Sequence, residues 1–364
     1  MKTFIRGIKA MEMFLKKLKK SMRWRTKHFM RWMRKPYWWI YFITAKSSRN
    51  DLIAITYLND NLNDGAGSQL HRIYAIYAIS RLLNVAYIHS PLIRLDYQGL
   101  SALENNSSSQ GSVSEYNKVF CIPSDIALPT KFIIRDIEPR EFRPRTFRKL
   151  KNEATRDGVF ILARLEWPFD IAGEFTECYQ AVKEISPFSF QKSSVIRIAV
   201  HVRRGDLLFV ESGRMLPNDY YICVVQRICE ILDGLDLSYV FELYTEVPTK
   251  VFTVSPAHHA HLTDSVIVDP KLAKIEDFDA VPNLKKFINT DPIETIQRMA
   301  TANVLIMSHS SFSYLAAILN VKGTKIYHKF WHKPLKNWVV ANSSGHFSKS
   351  KFLEQLKEAG CLSN

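Results

Sequence analysis

A run of β-branched and small apolar residues, Val195-Ile196-Arg197-Ile198-Ala199-Val200, passes directly into His201-Val202-Arg203-Arg204-Gly205-Asp206. The run predicts a buried strand of the kind found in parallel sheets. Two adjacent arginines therefore stand at its carboxyl end, the edge at which open α/β sheets bind ligands. A guanidinium stays charged, and its planar fork matches phosphate oxygens in pairs. Two readings fit these residues alone: an anion site, or a surface ion pair closing the strand at an Arg-Gly-Asp turn.

The rest of the chain carries the same rhythm. A strand over 52–57, a polar loop over 59–69, a long helix over 70–83 and a strand over 85–89 form one strand–loop–helix–strand unit, the building block of parallel sheets. Residues 101–115, rich in Ser, Asn and Gly, read as a loop. Residues 138–148, with Pro139, Pro144 and several arginines, read as extended or linker-like. A polar stretch around 186–194 marks a domain boundary. Beyond it the pattern predicts strands over 196–200, 239–244, 265–268, 304–308 and 325–328. Helices are predicted over 219–232, 292–301, from Ser310-Ser311-Phe312-Ser313 through 319, and over 348–359. A length of 364 residues suffices for two such domains. The expected fold class is α/β, with Rossmann-like domains over 51–190 and 191–364 and a cleft between them.

The formal charge of +15 invites a nucleic-acid reading, but its distribution does not. Residues 1–50 carry nine Lys, six Arg and one acid, Glu12, while the other 314 residues hold 35 basic and 34 acidic side chains. The basicity belongs to this segment and not to a groove in the body, so no nucleic-acid partner is expected. Met11, Phe14, Leu15 and Leu18 fall at i, i+3, i+4 and i+7, with Lys16, Lys17, Lys19 and Lys20 between them. Trp24, Trp32, Trp38 and Trp39 follow. This pattern suits a basic amphipathic helix in peripheral contact with an anionic membrane. A helix packed on the body, a solvated tail and an RNA-binding arm are the alternatives. The longest apolar stretch, 37–45, falls well short of the ~20 residues of a spanning helix, and nothing reads as a signal peptide. The five cysteines, Cys121, Cys178, Cys223, Cys229 and Cys361, have no CxxC spacing. They predict free thiols in a reducing compartment. The expected location is cytoplasmic and peripherally membrane-associated, or the Golgi lumen if the chain is eukaryotic.

Two further segments fall between a strand and a helix. Glycines in Asp64-Gly65-Ala66-Gly67-Ser68-Gln69 allow a backbone to approach a phosphate, and a helix N-terminus offers free N–H groups. A tight turn with a helix cap is the other reading, and Leu70 stands where a dinucleotide fingerprint has its third glycine. His71 faces that loop or is a partly buried polar residue. Ser310 and Ser311 offer hydroxyls and amides to a phosphate, or simply cap a helix. Glu294 accepts hydrogen bonds from a base or sugar, or complements the helix dipole. Asp277-Phe278-Asp279 has the spacing of a metal clamp but lies in a Lys/Pro-rich region without strand pattern. His258, His259 and His261 lack a carboxylate or Cys at useful spacing and read as a solvated loop. No metal is expected.

Taken in order, Gly65-Ala66-Gly67-Ser68-Gln69-Leu70-His71, His201-Val202-Arg203-Arg204-Gly205-Asp206 and Ser310-Ser311-Phe312-Ser313 resemble the motifs of one fucosyltransferase superfamily. It holds the α1,2-, α1,6- and protein O-fucosyltransferases, and the second motif matches its H-x-R-R-x-D core. The resemblance spans roughly residues 52–330. It implies a GT-B fold, GDP-fucose as donor, a glycan or glycolipid acceptor, and inverting transfer without an obligatory metal or other cofactor. Arg203 would hold the β-phosphate, with Arg204 in support and Asp206 completing the motif. His201 would contact the guanine nucleotide. Gly65 and Gly67 would bring amides to the pyrophosphate, with His71 beside them and Ser310 and Ser311 assisting. Glu294 and Gln297 are the nearest counterparts of an aspartate that precedes the third motif in the family. Glu211 stands at the offset of the glutamate proposed there as general base. Positive groups on the leaving diphosphate and a carboxylate across the sugar suit an oxocarbenium-like transfer. The alternatives are a transferase for another nucleotide sugar and a non-catalytic nucleotide- or glycan-binding protein of this fold.

Overall fold

The computed structural model describes residues 50–58, 64–97, 99–105, 110–138, 141, 144–190, 194–210, 212–256 and 262–362. The amphipathic helix read at 11–18, Glu211 and the histidines at 258, 259 and 261 lie outside these residues. In the first half, β1 (Asn50–Tyr57) is flanked in parallel by β2 (Val85–Tyr87) and β4 (Phe160–Leu165), with β3 (Phe132–Asp136) beyond β4. Helix α1 (Ala66–Leu83) crosses from β1 to β2. It is apolar nearly all round and accordingly buried on nearly every side. It also begins four residues before the predicted start, so Gly67 lies in its first turn and Gly65 is its N-cap.

The segment read as a loop over 101–115 instead holds most of α2 (Leu100–Asn105) and the start of α3 (Gln110–Val119). Its Ser and Asn residues favour turns, but burial of Leu100, Val113 and Tyr116 decides the matter. Likewise α4 (Pro144–Asp157) begins inside the stretch read as a linker. Proline suits a first helical position, and Phe147, Leu150 and Ala154 bury one face at helical spacing. Two short helices, α5 (Phe169–Glu174) and α6 (Gln180–Glu184), end this half.

The second half is a six-stranded parallel sheet built outward from β5 (Ile196–His201). After α7 (Asn218–Asp233), the chain lays β6 (Tyr239–Thr245) beside β5. It leaves the sheet for an antiparallel pair, β7 (Phe252–Val254) and β8 (Val266–Val268), then returns as β9 (Leu284–Ile288) beyond β6. The predicted strand at 265–268 thus belongs to a separate hairpin. Helix α8 (Pro292–Ala300) carries the chain back to the other side of β5. There β10 (Val304–Ile306), α9 (Ser311–Leu319), β11 (Thr324–His328) and β12 (Val339–Ala341) complete the sheet, and α10 (Lys349–Glu358) follows. The order β9-β6-β5-β10-β11-β12 reverses between β5 and β10, the topological switch point at which such sheets bind ligands. Two Rossmann-like halves on one cleft make the GT-B layout, as expected. Among the described residues no helix is long and apolar enough to cross a membrane.

The halves share a core. One hydrophobic cluster takes Leu70, Ile73 and Tyr74 of α1 together with Tyr314, Leu315 and Ile318 of α9. The two helices touch at their N-terminal ends: a Cβ on Gly67 would lie 2.5 Å from Phe312 Cα and 2.7 Å from its nitrogen. Gly67→Ala therefore forces the helix ends apart. The overpacking costs about 1–3 kcal/mol, against roughly 0.8–1 kcal/mol gained in helix propensity. Urea unfolding of Gly67→Ala is expected to show a lower midpoint. Gly65→Ala, whose Cβ meets nothing nearer than the Tyr97 carbonyl at 3.4 Å, is expected to be tolerated. Equal midpoints would mean the helix ends are not in contact.

Candidate active site

A cleft of about 360 Å³ separates the loops that leave the two sheets. From the first half it is lined by Asp64–Ser68, by Leu95, Asp96, Tyr97 and Gly99, and by Trp167 and Phe169. From the second half it is lined by His201–Asp206, Glu246, Asp291, Ser310, Ser311 and Trp331.

Arg203 follows β5 by two residues and is aimed by three bonds. Its Nε and Nη2 donate to the two Asp206 oxygens at 3.1 and 2.6 Å, and its Nη1 donates to the His309 carbonyl at 3.0 Å. Each terminal nitrogen carries two N–H groups, so each keeps one unengaged among the described residues. Arg204 is only 2 % exposed. It donates to the carbonyls of Arg203, Leu216 and Ala273 and to Asn218 Oδ1. These bonds hold its guanidinium down against the backbone of Arg203 at the edge of the cleft. His201 Nδ1 bonds Ser308 Oγ at 2.8 Å. Burial, followed by the charges of Arg203 and Arg204, pushes its pKa down to about 3. The ring is therefore neutral and adds no charge to the site.

Two helix ends face the same space. No side chain caps α1 at Gly65, and Gly65, Ala66 and Gly67 all line the cleft. Its first-turn amides are thus open to an anion. At α9 the Ser310 hydroxyl accepts from the Phe312 amide at 3.1 Å, so that hydroxyl is spent on the cap. Ser311 Oγ lies 2.9 Å from His332 Nε2, which also accepts from Trp331 Nε1 at 3.1 Å. An indole nitrogen only donates, so His332 Nε2 is unprotonated and the Ser311 hydroxyl donates to it. Toward the cleft α9 therefore presents amides and serine lone pairs.

His71 lies outside the cleft lining. Because α1 is buried all round, His71 is packed inside it, 2.7 Å from Tyr179 Oη and against the rings of Phe169 and His332. Glu294 also faces elsewhere and pairs with Arg298 at 2.7 Å. The acidic residue at that helix start that lines the cleft is Asp291, its N-cap, beside Pro292, Ile293 and Thr295; it accepts from the Glu294 amide at 2.9 Å. Its signal in the sequence is an Asp directly before a Pro at a helix start. Asp277 accepts from Asn218 Nδ2 at 2.9 Å, whereas Asp279 pairs with Lys286, so the two do not act as a clamp. Among the described residues no group of three or more His, Cys, Asp or Glu side chains is placed to hold a metal ion.

Sequence reasoning missed Tyr97, Gly99, Trp167, Arg214, Glu246 and Trp331, which also line the cleft. Glu246, just past β6, accepts from Tyr97 Oη at 2.7 Å and from the Leu100 amide. Gly99 and Gly205, at φ +98° and +27°, leave room for its carboxyl, and a Cβ on Gly99 would lie 2.6 Å from it. Burial raises the Glu246 pKa, and Asp206 adds to the effect. Arg214 lies over the Trp331 ring at 4.7 Å. Trp167 has Arg72 at 4.4 Å from its ring centre.

No protein-family model matches the sequence, and no curated protein matches it. Among solved structures the chain is similar to E. coli ADP-heptose LPS heptosyltransferase II (10% identity, 84% of this chain and 98% of that chain, TM-score 0.33). It is similar to POFUT1 in complex with GDP (10% identity, 75% and 95% covered, TM-score 0.33). It is also similar to E. coli heptosyltransferase WaaC with ADP-2-deoxy-2-fluoro heptose (10% identity, 85% and 99% covered, TM-score 0.34).

His332, like His201, is held at a pKa of about 3, mainly by burial, against an ordinary value of 6.5. The unfolded chain takes up protons at both rings below about pH 6.5 while the folded protein does not. Their contribution to stability is intact above that pH and falls as the pH drops toward 3. The urea midpoint is expected to decline over that window, and the His201 ring signals in NMR are expected to stay flat from pH 8 to 5. A His201 titration midpoint near 6.5 would contradict this electrostatic picture.

Proposed function

We propose that the protein is a glycosyltransferase, with GDP-fucose as donor and a glycan or glycoconjugate hydroxyl as acceptor. The observation that carries the reading is a convergence of positive groups at the switch point. Arg203, aimed by Asp206 and the His309 carbonyl, lines one cleft with the N-termini of α1 and α9. Such a cradle matches a diphosphate, and it acts most strongly on the charge that develops as the sugar–phosphate bond breaks. In this reading the bond from the sugar C1 to the β-phosphate oxygen breaks, and the electron pair leaves with the nucleoside diphosphate. The acceptor oxygen attacks from the opposite face, which inverts the configuration. A carboxylate takes its proton. Glu211, outside the described residues, is the proposed base. Glu246 is engaged by Tyr97 and Leu100 and serves as a brace between the halves. Arg203 and the helix ends supply the positive charge, so the reaction calls for no metal. The choice of GDP-fucose rests on the three sequence motifs.

The test is a nucleotide-sugar panel with nucleoside diphosphate release as readout, run on the full chain and on Arg203→Ala. GDP-fucose is expected to turn over, and the variant is expected to lose about 10²–10³ in kcat/KM, the usual effect of removing one stabilising donor. Turnover with a different nucleotide sugar alone would replace the donor. No turnover and no saturable GDP binding would overturn the reading.

The basic, aromatic composition of residues 1–50 supports peripheral attachment to an anionic, cytoplasmic membrane face. The full chain is expected to sediment with phosphatidylserine vesicles at low salt and to be released by high salt. Equal sedimentation with uncharged vesicles would contradict an electrostatic attachment.

A further inference from the structure

We propose that Trp167 is the platform on which the acceptor lies, and that the acceptor unit there is a neutral pyranose ring stacked through its C–H face. This rests on the glycosyltransferase reading and assigns the part of the cleft that the donor cradle leaves open. Trp167 stands two residues past the end of β4. In the first sheet, ordered β2-β1-β4-β3, β1 and β4 are parallel neighbours, so the loops that leave them emerge side by side at the same end of the sheet. Trp167 and the Asp64 loop after β1 therefore stand together at the carboxyl end of that sheet, facing Arg203 and Ser311, which flank the switch point of the other.

The indole is presented, not merely uncovered. It is 42 % exposed and lines the cleft, while Leu165 and Pro168 around it are buried. One face is backed by the Arg72 guanidinium at 4.4 Å. Arg72 is itself 1 % exposed, paired with Asp64 and donating to Tyr57 Oη at 3.3 Å. Phe169 meets the ring edge-on at 4.9 Å. The ring is thus held before any ligand arrives, which lowers the ordering cost of binding.

The neighbouring charges select the ligand. Asp96 and Glu115 line the same side of the cleft, while the Asp64 carboxylate is engaged by Arg72. Carboxylates accept hydrogen bonds from hydroxyls, but they repel a diphosphate or an acidic sugar. An apolar shelf rimmed by acceptors fits a ring with one C–H face and a hydroxyl edge. A nucleobase would bring its phosphates toward these carboxylates and is disfavoured.

The test uses N-acetyllactosamine as probe, saturation-transfer NMR as readout, and the full chain with GDP present. Transfer is expected to concentrate on the ring C–H protons of one sugar. Trp167→Ala is expected to weaken binding roughly tenfold or more, and Trp167→Phe to retain most of it. GDP titration of the same samples monitors folding and the donor side separately. GDP binding without any transfer from N-acetyllactosamine overturns the platform, as does full transfer in a GDP-binding Trp167→Ala. Trp167-dependent transfer without GDP binding upholds the platform as a glycan site and overturns the donor reading instead.

Discussion

The arrangement depends on a contact between two backbones. Gly67 in the first turn of α1 sits against the main chain of Phe312 at the start of α9. No other residue type fits there without displacing one helix. Because the contact is made at the N-termini, the positive ends of both helix dipoles meet at the same point of the cleft. Their bodies continue inward together as one core, which is why the halves share a hydrophobic cluster. The glycine thus serves helix packing directly and, through it, brings the two helix ends to one place in the cleft.

Charged groups of both signs line each side of the cleft. On the second-half side, Arg203 is kept pointed by Asp206, Arg204 is sealed beneath it, and His201 is held neutral. The first-half side carries the α1 N-terminus, the carboxylates of Asp96 and Glu115, and the Trp167 shelf. A strap joins the two: Glu246 of the second half binds Tyr97, and Glu104 of α2 accepts from the Thr249 amide and hydroxyl at 2.7 Å each. In the proposed reading an anionic donor sits where Arg203 meets the two helix ends, and a neutral acceptor lies beside Trp167.

The second half was the more legible in the sequence. Its central strands β5, β10 and β11 are short and largely buried, and α7, α8 and α9 have clear starts, whereas β9, mostly exposed with two lysines, carries no such pattern. The first half was less so, because its features come from tertiary contact. β3 exposes Phe132 and Ile134 on a sheet edge and carries no burial pattern to read. The helices α2 and α3 form from turn-favouring residues because a few apolar side chains are buried. The arginine motif and the glycine and serine segments could be brought to one site from pattern alone. Arg204 and His71 could not be separated from ligand-facing residues, since nothing local signals that a polar side chain is sealed inside. Nor could Asp291 be chosen over Glu294 without knowing which side of α8 meets the cleft. Trp167 and Trp331 carry no motif, and their meaning appears only when the two sheets face each other.

The most direct measurement of the central claim is a crystal structure of the protein with GDP bound. The account predicts diphosphate oxygens within hydrogen-bond distance of the Arg203 terminal nitrogens and of first-turn amides of α1 or α9, with Trp167 left uncovered. A GDP molecule whose phosphates lie away from Arg203, or on the carboxylate side beside Trp167, would contradict it.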